Sequence, residues 1–249
     1  MPTADYVGRF IALGATKSGI PVAVYGITGR SPSSQARRFV HEQIDGVQGI
    51  RVQHLTPDKI SPAEEALIVY PAMLFGQAGI AVSNGRQTTD IYNTFRNCQP
   101  LEAIATAHQN WDYEPDKPNF TPRISGTLGF ETRIPCTLGT GALGIIKRMQ
   151  DGRSIRHVTE IPIVSGKGNI ISTYTGANVP PGTPLPSFTG EPMEIEIRGI
   201  TPVEVARSFY DTLAPVDPTK DLRVAVAAVF HSDTGEYTPD KIAIINRHQ

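Results

Sequence analysis

Runs of β-forming residues recur along almost the whole chain, and this constrains the fold more than any other feature. Tyr6 to Leu13 and Val22 to Ile27 read as strands joined by a turn at Lys17-Ser18-Gly19. Ala66 to Tyr70 and Met73 to Ser83 are rich in β-formers, and Gly76-Gln77-Ala78-Gly79 fits a hairpin tip. Arg123 to Phe130, Ala142 to Arg148, Ile155 to Val164, Ile170 to Tyr174, Glu194 to Arg198, Leu222 to His231 and Lys241 to Asn246 continue the series. Helical spacing is confined to fewer stretches. Thr88, Ile91, Tyr92 and Phe95 fall on one face between Gln87 and Asn97, and Leu101, Ile104, Ala105 and His108 do so between Leu101 and Asn110. A third helix opens at Thr201-Pro202-Val203-Glu204, where Thr201 and Glu204 can form a capping box and Val205, Phe209 and Leu213 make an apolar stripe. Many strands with a few amphipathic helices predict the α+β class, with two mainly antiparallel sheets packed together and helices on the outer faces.

One motif argues for a different fold. Gly139-Thr140-Gly141-Ala142-Leu143-Gly144 matches G-x-G-x-x-G, and Glu160 lies downstream as a dinucleotide site would require. That reading needs a strand before the glycines and a helix after them. Pro135 interrupts the preceding segment, and Asp151-Gly152 follows too soon for a crossover helix. Asp-Gly between β-like runs is a hairpin signal, so the glycines are expected to lie at a strand entry.

The 249 residues are expected to form a single domain, 1–249, with a long loop at about 176–192 that holds five prolines from Pro180 to Pro192. A formal net charge of −1 argues against a nucleic-acid partner. No apolar run approaches the ~20 residues that span a bilayer, so no membrane partner is expected. The first residues lack a basic region followed by an apolar one, and the expected location is the cytoplasm. The two cysteines, Cys98 and Cys136, cannot build a disulfide framework and read as free buried thiols. Assembly into a homo-oligomer is compatible with all of this.

Four constellations could carry chemistry, and each has a bland reading beside it. Arg30 to Arg38 places three arginines and three serines directly after a strand, which suits an anion but also an ordinary solvated loop. Ser83-Asn84-Gly85 ends a strand and opens a helix, as an ordinary turn would; the functional reading points the Asn84 amide into a cleft. Asp112 and Glu114 flank Tyr113 after the second helix; in extended chain both would face one side and could divide acid and base roles, while a surface loop is the plainer reading. Tyr70 lies at a strand end, a place for core or rim packing or for donating to a developing oxyanion. No G-x-S-x-G elbow and no H-E-x-x-H spacing occurs, and the six histidines are scattered.

Taken in order, Tyr6-Val7-Gly8-Arg9, Arg30-Ser31, Tyr70, Val82-Ser83-Asn84-Gly85, Asp112-Tyr113-Glu114, Thr121-Pro122-Arg123-Ile124 and Ile171-Ser172-Thr173-Tyr174 resemble the archaeal-type inosine monophosphate (IMP) cyclohydrolase family. The resemblance runs from Tyr6 to Tyr174 and weakens in the proline-rich loop, which is longer than in compact members. It implies a four-layer αββα sandwich similar to N-terminal-nucleophile hydrolases. It also implies a purine nucleotide substrate, 5-formamidoimidazole-4-carboxamide ribonucleotide, closed to IMP with loss of water and without metal, folate or nicotinamide. On this resemblance Glu114 is the favoured proton shuttle, with Asp112 orienting or sharing it. Asn84 orients the base, and Tyr70 donates to the formyl oxygen. Arg30, Ser31 and Arg123, with Ser83 and Gly85, bind substrate; which arginine takes the phosphate stays open. Three competing functions stand beside this one. An N-terminal-nucleophile amidohydrolase would need Thr3 exposed, since removal of Met1 leaves Pro2. A purine-nucleotide-binding protein would bind without turnover. A dinucleotide-binding oxidoreductase would need a helix after Gly144.

Overall fold

Two-residue periodicity distributes the apolar side chains of the central strands between two cores. The computed structural model describes residues 6–129, 138–177, 179–180, 183–189 and 191–248. In β1 (Arg9–Ala15), Ile11, Leu13 and Ala15 face one core while Phe10 and Ala12 face another. The next strand, β2 (Pro21–Thr28), divides Ala23, Tyr25 and Ile27 from Val22 and Val24 in the same way. Strands buried on both faces must lie inside a layered structure. The chain continues through α1 (Pro32–Gln35), β3 (Arg37–Ile44), β4 (Val47–His54), α2 (Pro62–Ile68), β5 (Tyr70–Gly76), β6 (Gly79–Ser83), α3 (Gln87–Phe95) and α4 (Pro100–Ala107). It ends with β7 (Arg123–Gly129), β8 (Thr140–Arg148), β9 (Ser154–Pro162), β10 (Lys167–Ser172), β11 (Met193–Glu196), α5 (Pro202–Thr212), β12 (Arg223–Phe230) and β13 (Ile242–Asn246).

The strands form a six-stranded sheet in the order β11-β10-β1-β2-β12-β13 and a seven-stranded meander from β3 to β9, with every neighbouring pair antiparallel. A large apolar core lies between the sheets. Val205, Ala206 and Phe209 of α5 cover the outer face of the first sheet, and Ile91, Ile104 and Ala107 of α3 and α4 cover that of the second. The result is an α+β sandwich of two antiparallel sheets flanked by helices. Asn246 ties the sheets together at one edge: its amide accepts from the Phe39 N–H at 2.8 Å and donates to the Phe39 carbonyl at 3.1 Å. This also occupies backbone groups of an edge strand that would otherwise invite pairing.

Several expectations need correction. Ala66 to Ile68 are helical, because Ser61 caps the backbone N–H of Glu64, Pro62 sits in the first turn, and acidic side chains follow. Only at Tyr70 does the chain become a strand. Leu101 is exposed, and α4 buries Pro100, Ala103, Ile104 and Ala107 instead, followed by His108. The hairpin β3–β4 falls on a stretch where no strand was expected, overlapping the basic segment only at Arg37 and Arg38; its turn is Asp45-Gly46, both at positive φ. The capping box of Thr201 and Glu204 is formed. Cys98 is half-buried and its thiol donates to the Thr94 carbonyl at 3.2 Å. Cys136, Phe130, Pro135 and Pro181, like Pro2 and Thr3, lie outside the described residues.

The dinucleotide reading is overturned by β8, which runs without interruption through Gly141 and Gly144 and turns at Asp151-Gly152 into antiparallel β9. Gly144 is small because α4 lies on it: a Cβ there would stand 2.6 Å from Ile104 Cγ2 and 2.9 Å from His108 Cε1. Gly144→Ala is therefore expected to lower stability by about 1–3 kcal/mol through overpacking. Chemical denaturation of the two proteins checks this, and an unchanged midpoint would show that α4 shifts freely.

Candidate active site

Antiparallel pairing brings the starts of some strands and the ends of their neighbours to one end of the sandwich. Arg9, Arg37, Tyr70 and Arg123 begin β1, β3, β5 and β7, and Ser83 ends β6. Arg9 is steered there by Gly8, whose φ of 73° favours glycine and whose missing Cβ would stand 2.2 Å from Thr173 Oγ1. The Arg9 N–H then donates to that hydroxyl at 3.1 Å, and the guanidinium reaches Glu114 Oε2 at 3.4 Å.

Glu114 is 2 % exposed. Its other oxygen accepts from Asn84 Nδ2 at 3.2 Å, and its backbone N–H donates to the Thr121 carbonyl at 2.9 Å. Asn84, itself fully buried, is saturated: it also donates to the Pro122 carbonyl and accepts from the Ile124 N–H and from Gln87 Nε2. A side chain tied at so many points holds the carboxyl rather than moving. Thr121 is fixed in turn by Asp116, which accepts from its N–H at 2.6 Å and from its hydroxyl at 2.5 Å, while Tyr174 OH lies 2.6 Å from the same hydroxyl.

Burial pushes the Glu114 carboxyl up to about 7, against the opposing pull of Arg9 and Arg123. A carboxyl poised there can hold or release a proton near neutrality. Tyr25 and Tyr70 add two buried hydroxyls 2.8 Å apart. Arg37 is 2 % exposed; Nε donates to the Ser34 carbonyl and Nη2 to the Thr28 carbonyl, while Nη1 has no hydrogen-bond partner. Burial works against its charge, and Tyr70 is the neighbour that most favours it. Among the described residues no cluster of three or more His, Cys, Asp and Glu side chains is placed to hold a metal ion, and no helix is long and apolar enough to cross a membrane.

The sequence profile of the IMP cyclohydrolase-like protein family matches residues 6–235. The chain belongs to this family. The match continues well past Tyr174 and takes in the proline-rich loop and β12. Three archaeal relatives carry the name IMP cyclohydrolase. That of Methanopyrus kandleri is 32% identical over 129 residues, 51% of this chain and 60% of that protein, so the aligned part spans less than two thirds of it. Those of Methanocaldococcus jannaschii and Methanococcus maripaludis are each 26% identical, over 81% and 70% of this chain and 84% and 77% of theirs.

In this member of the IMP cyclohydrolase-like family the residues selected from sequence are placed unequally. Tyr70, Asn84, Glu114 and Arg123 gather at the same end. Arg123 donates to the Asp112 carbonyl at 2.7 Å and to Gln87 Oε1 at 3.0 Å, and Gly85 leaves room for it, since a Cβ there would lie 2.5 Å from Arg123 Nη1. The Ser83 hydroxyl donates to the Gly85 carbonyl at 2.9 Å and shapes the turn. Arg30 is at the margin, 5.0 Å above the Tyr6 ring and bonded to the Val179 carbonyl. Ser31 is exposed and caps α1 by accepting from the Ser34 N–H. Asp112 does not share a side with Glu114: its carboxylate is exposed and accepts from Ser154 and Arg156. The chain between them is not simple extended strand, so the alternation argument fails. Arg9, Arg37 and Tyr25 were not selected, although Arg9 stood in the first segment of the resemblance and Arg37 in the basic constellation.

The raised Glu114 carboxyl has a consequence for stability. Unfolded, the group titrates near 4.5; folded, near 7. Its contribution is fully present below the lower value and is lost as pH rises through the upper one. The loss is on the order of 3 kcal/mol. Glu114→Gln is expected to remove it, so the difference in unfolding free energy between wild type and variant should change across this pH window. Denaturant titrations at pH 4.5 and pH 8 measure it, and a pH-independent difference would contradict the shift.

Proposed function

We propose that the chain closes 5-formamidoimidazole-4-carboxamide ribonucleotide to IMP with release of water, and that 1–249 is one domain of the type seen in N-terminal-nucleophile hydrolases. The observation that carries the reading, beside family membership, is a fully enclosed Glu114 titrating near neutrality between a guanidinium and an amide. The reaction is intramolecular, so the protein must hold two substituents in a near-attack arrangement and manage protons rather than bring molecules together.

In the proposed cycle the carboxamide nitrogen attacks the formyl carbon. One proton passes from that nitrogen to the Glu114 carboxylate, and the formyl oxygen takes a proton from Tyr70, giving a cyclic hydroxy intermediate. Dehydration reverses both transfers. Glu114 returns its proton to the departing hydroxyl, which leaves as water. The Tyr70 phenolate takes the proton of the nitrogen that bore the formyl group. Both side chains end as they began. Asn84 and Arg9 orient Glu114, and Arg30, Arg37 and Arg123 receive the anionic parts of the nucleotide. Ser83 and Gly85 form the floor beside Arg123. Asp112 supports Arg123 and the neighbouring strand from outside, with Ser31 peripheral. No step requires a metal, folate or nicotinamide.

Ultraviolet monitoring of ring closure with purified protein tests the reading. The wild type should turn over, and Glu114→Gln should lose about 10²–10⁴ in kcat with a much smaller change in KM. Binding of IMP by a wild type that does not turn the formamido substrate over would replace the enzyme by a nucleotide-binding protein. A variant at the wild-type rate would move the proton shuttle elsewhere.

A further inference from the structure

Tyr25 lies on β2 of the six-stranded sheet and Tyr70 on β5 of the seven-stranded one, so their hydrogen bond crosses the seam between the layers. Both rings are buried, Tyr25 at 0% and Tyr70 at 1% exposure. The Tyr25 ring stacks on Phe39 with centroids 5.6 Å apart, which fixes its orientation. Two phenols in an apolar seam could simply satisfy each other, and phenylalanine at both places would fill the same space. The surroundings exceed that need. Arg37 from β3 is buried nearby and the Arg9 side chain from β1 is largely so, and each keeps a buried N–H without a partner, at Nη1 and Nε respectively. Arg37 forms no ion pair with any carboxylate among the described residues; its bonds go to backbone carbonyls. Arg123 from β7 also acts on Tyr70, while Glu114 and Tyr174 lie beside Arg9 and Tyr6 beside Arg37. A buried cation without a carboxylate, as Arg37 is, is costly unless negative charge develops beside it.

We infer that Tyr25 is a positioning residue for the proposed reaction: its hydroxyl donates to the Tyr70 oxygen, leaves the Tyr70 hydroxyl to donate to the substrate, and holds the negative charge on Tyr70 once that proton is gone. The proton balance is that of the proposed cycle. The Tyr70 O–H bond breaks as the formyl O–H bond forms, the electron pair stays on the phenolate, and the later proton from the ring nitrogen restores the phenol. Tyr25 keeps its own proton throughout. Burial, reinforced by the neighbouring Tyr70, pushes the Tyr25 phenol well above its ordinary range, which suits a group that donates without ionising. The adjacent Arg37 and Arg9 stabilise the transient phenolate through space.

The inference rests on the proposed function, so wild-type turnover is measured first. An inactive wild type overturns the reaction and this inference together. With an active wild type, Tyr25→Phe keeps the ring and its stack on Phe39 and removes the donor. It is expected to lower kcat about 10–100-fold with KM changed less than about threefold. In a Tyr70→Phe background the same change should cost less than about twofold, because its only beneficiary is gone. The alkaline limb of the kcat–pH profile should also move upward in Tyr25→Phe, since the Tyr70 phenolate loses a donor. If Tyr25→Phe does not fold, 3-fluorotyrosine at position 25, a stronger donor of the same shape, should move that limb downward. Wild-type kcat in Tyr25→Phe, equal losses in both backgrounds, or an unmoved alkaline limb would each overturn the inference and leave the reaction standing.

Discussion

A carboxylate and a guanidinium enclosed at the mouth of an apolar seam set the terms for the rest of this molecule. Desolvating Glu114 and Arg9 costs several kcal/mol per ion and is offset only by good geometry and further hydrogen bonds. Each of those bonds has its own local cause. Gly8 permits the turn that aims Arg9, Thr173 takes its backbone N–H, Asn84 commits both amide donors to Glu114 and Pro122, and Asp116 locks Thr121 beneath the carboxyl. An apolar pair of similar volume would be about as stable. The arrangement is therefore better explained by what a neutral-range carboxyl can do than by what it adds to stability.

The sandwich accommodates such a site by separating tasks along the strands. Inner residues of β1 and β2 alternate between the seam and the α5 side, and those of β12 do so beyond the irregularity at Arg223–Ala225. The polar groups of the site sit at strand termini and in the loop before β7, all at one end. The tyrosines belong to both regions: their rings count among the apolar core and their hydroxyls meet across it. The chemistry is thus built on rigid strands and on a loop pinned at Asp116 and Thr121, which suits groups that must be held to fractions of an ångström.

Most of the fold was legible because two-residue alternation and turn residues act locally. The hairpin Gly76 to Gly79, the Asp151-Gly152 turn and the Thr201–Glu204 cap all follow from neighbours in sequence. The misses came where a local signal was overlooked or overruled. Asp45-Gly46 is the same hairpin signature as Asp151-Gly152, but polar and charged residues in Arg37–Ile44 and Val47–His54 mask the β pattern on both sides. Ala66 to Ile68 look β-forming until Ser61-Pro62 is read as a helix start. At the site, the link between Asn84 and Glu114 was legible only through the order of segments, and their burial was not. The separation of Asp112 from Glu114 was not, because it depends on Arg156 of β9, distant in sequence. Arg9 and Arg37 were visible as residues but not as buried ones, since burial of a charge is decided by tertiary packing and not by period.

The balance of charge at this end of the sandwich bears on how the proposed reaction would be ordered. Arg9, Arg37 and Arg123 face Glu114 and Asp116, so cations outnumber carboxylates even with both acids ionised. Without an anion the guanidinium groups pull the Glu114 carboxyl down and burial pushes it up; the outcome near 7 is a compromise. A nucleotide phosphate held by the arginines would screen that pull, and exclusion of water would strengthen the burial effect. Both changes make the carboxylate a stronger base. Binding of the anionic end would then prepare the acid–base group for the ring end, so affinity for the part that does not react is expressed as rate at the part that does.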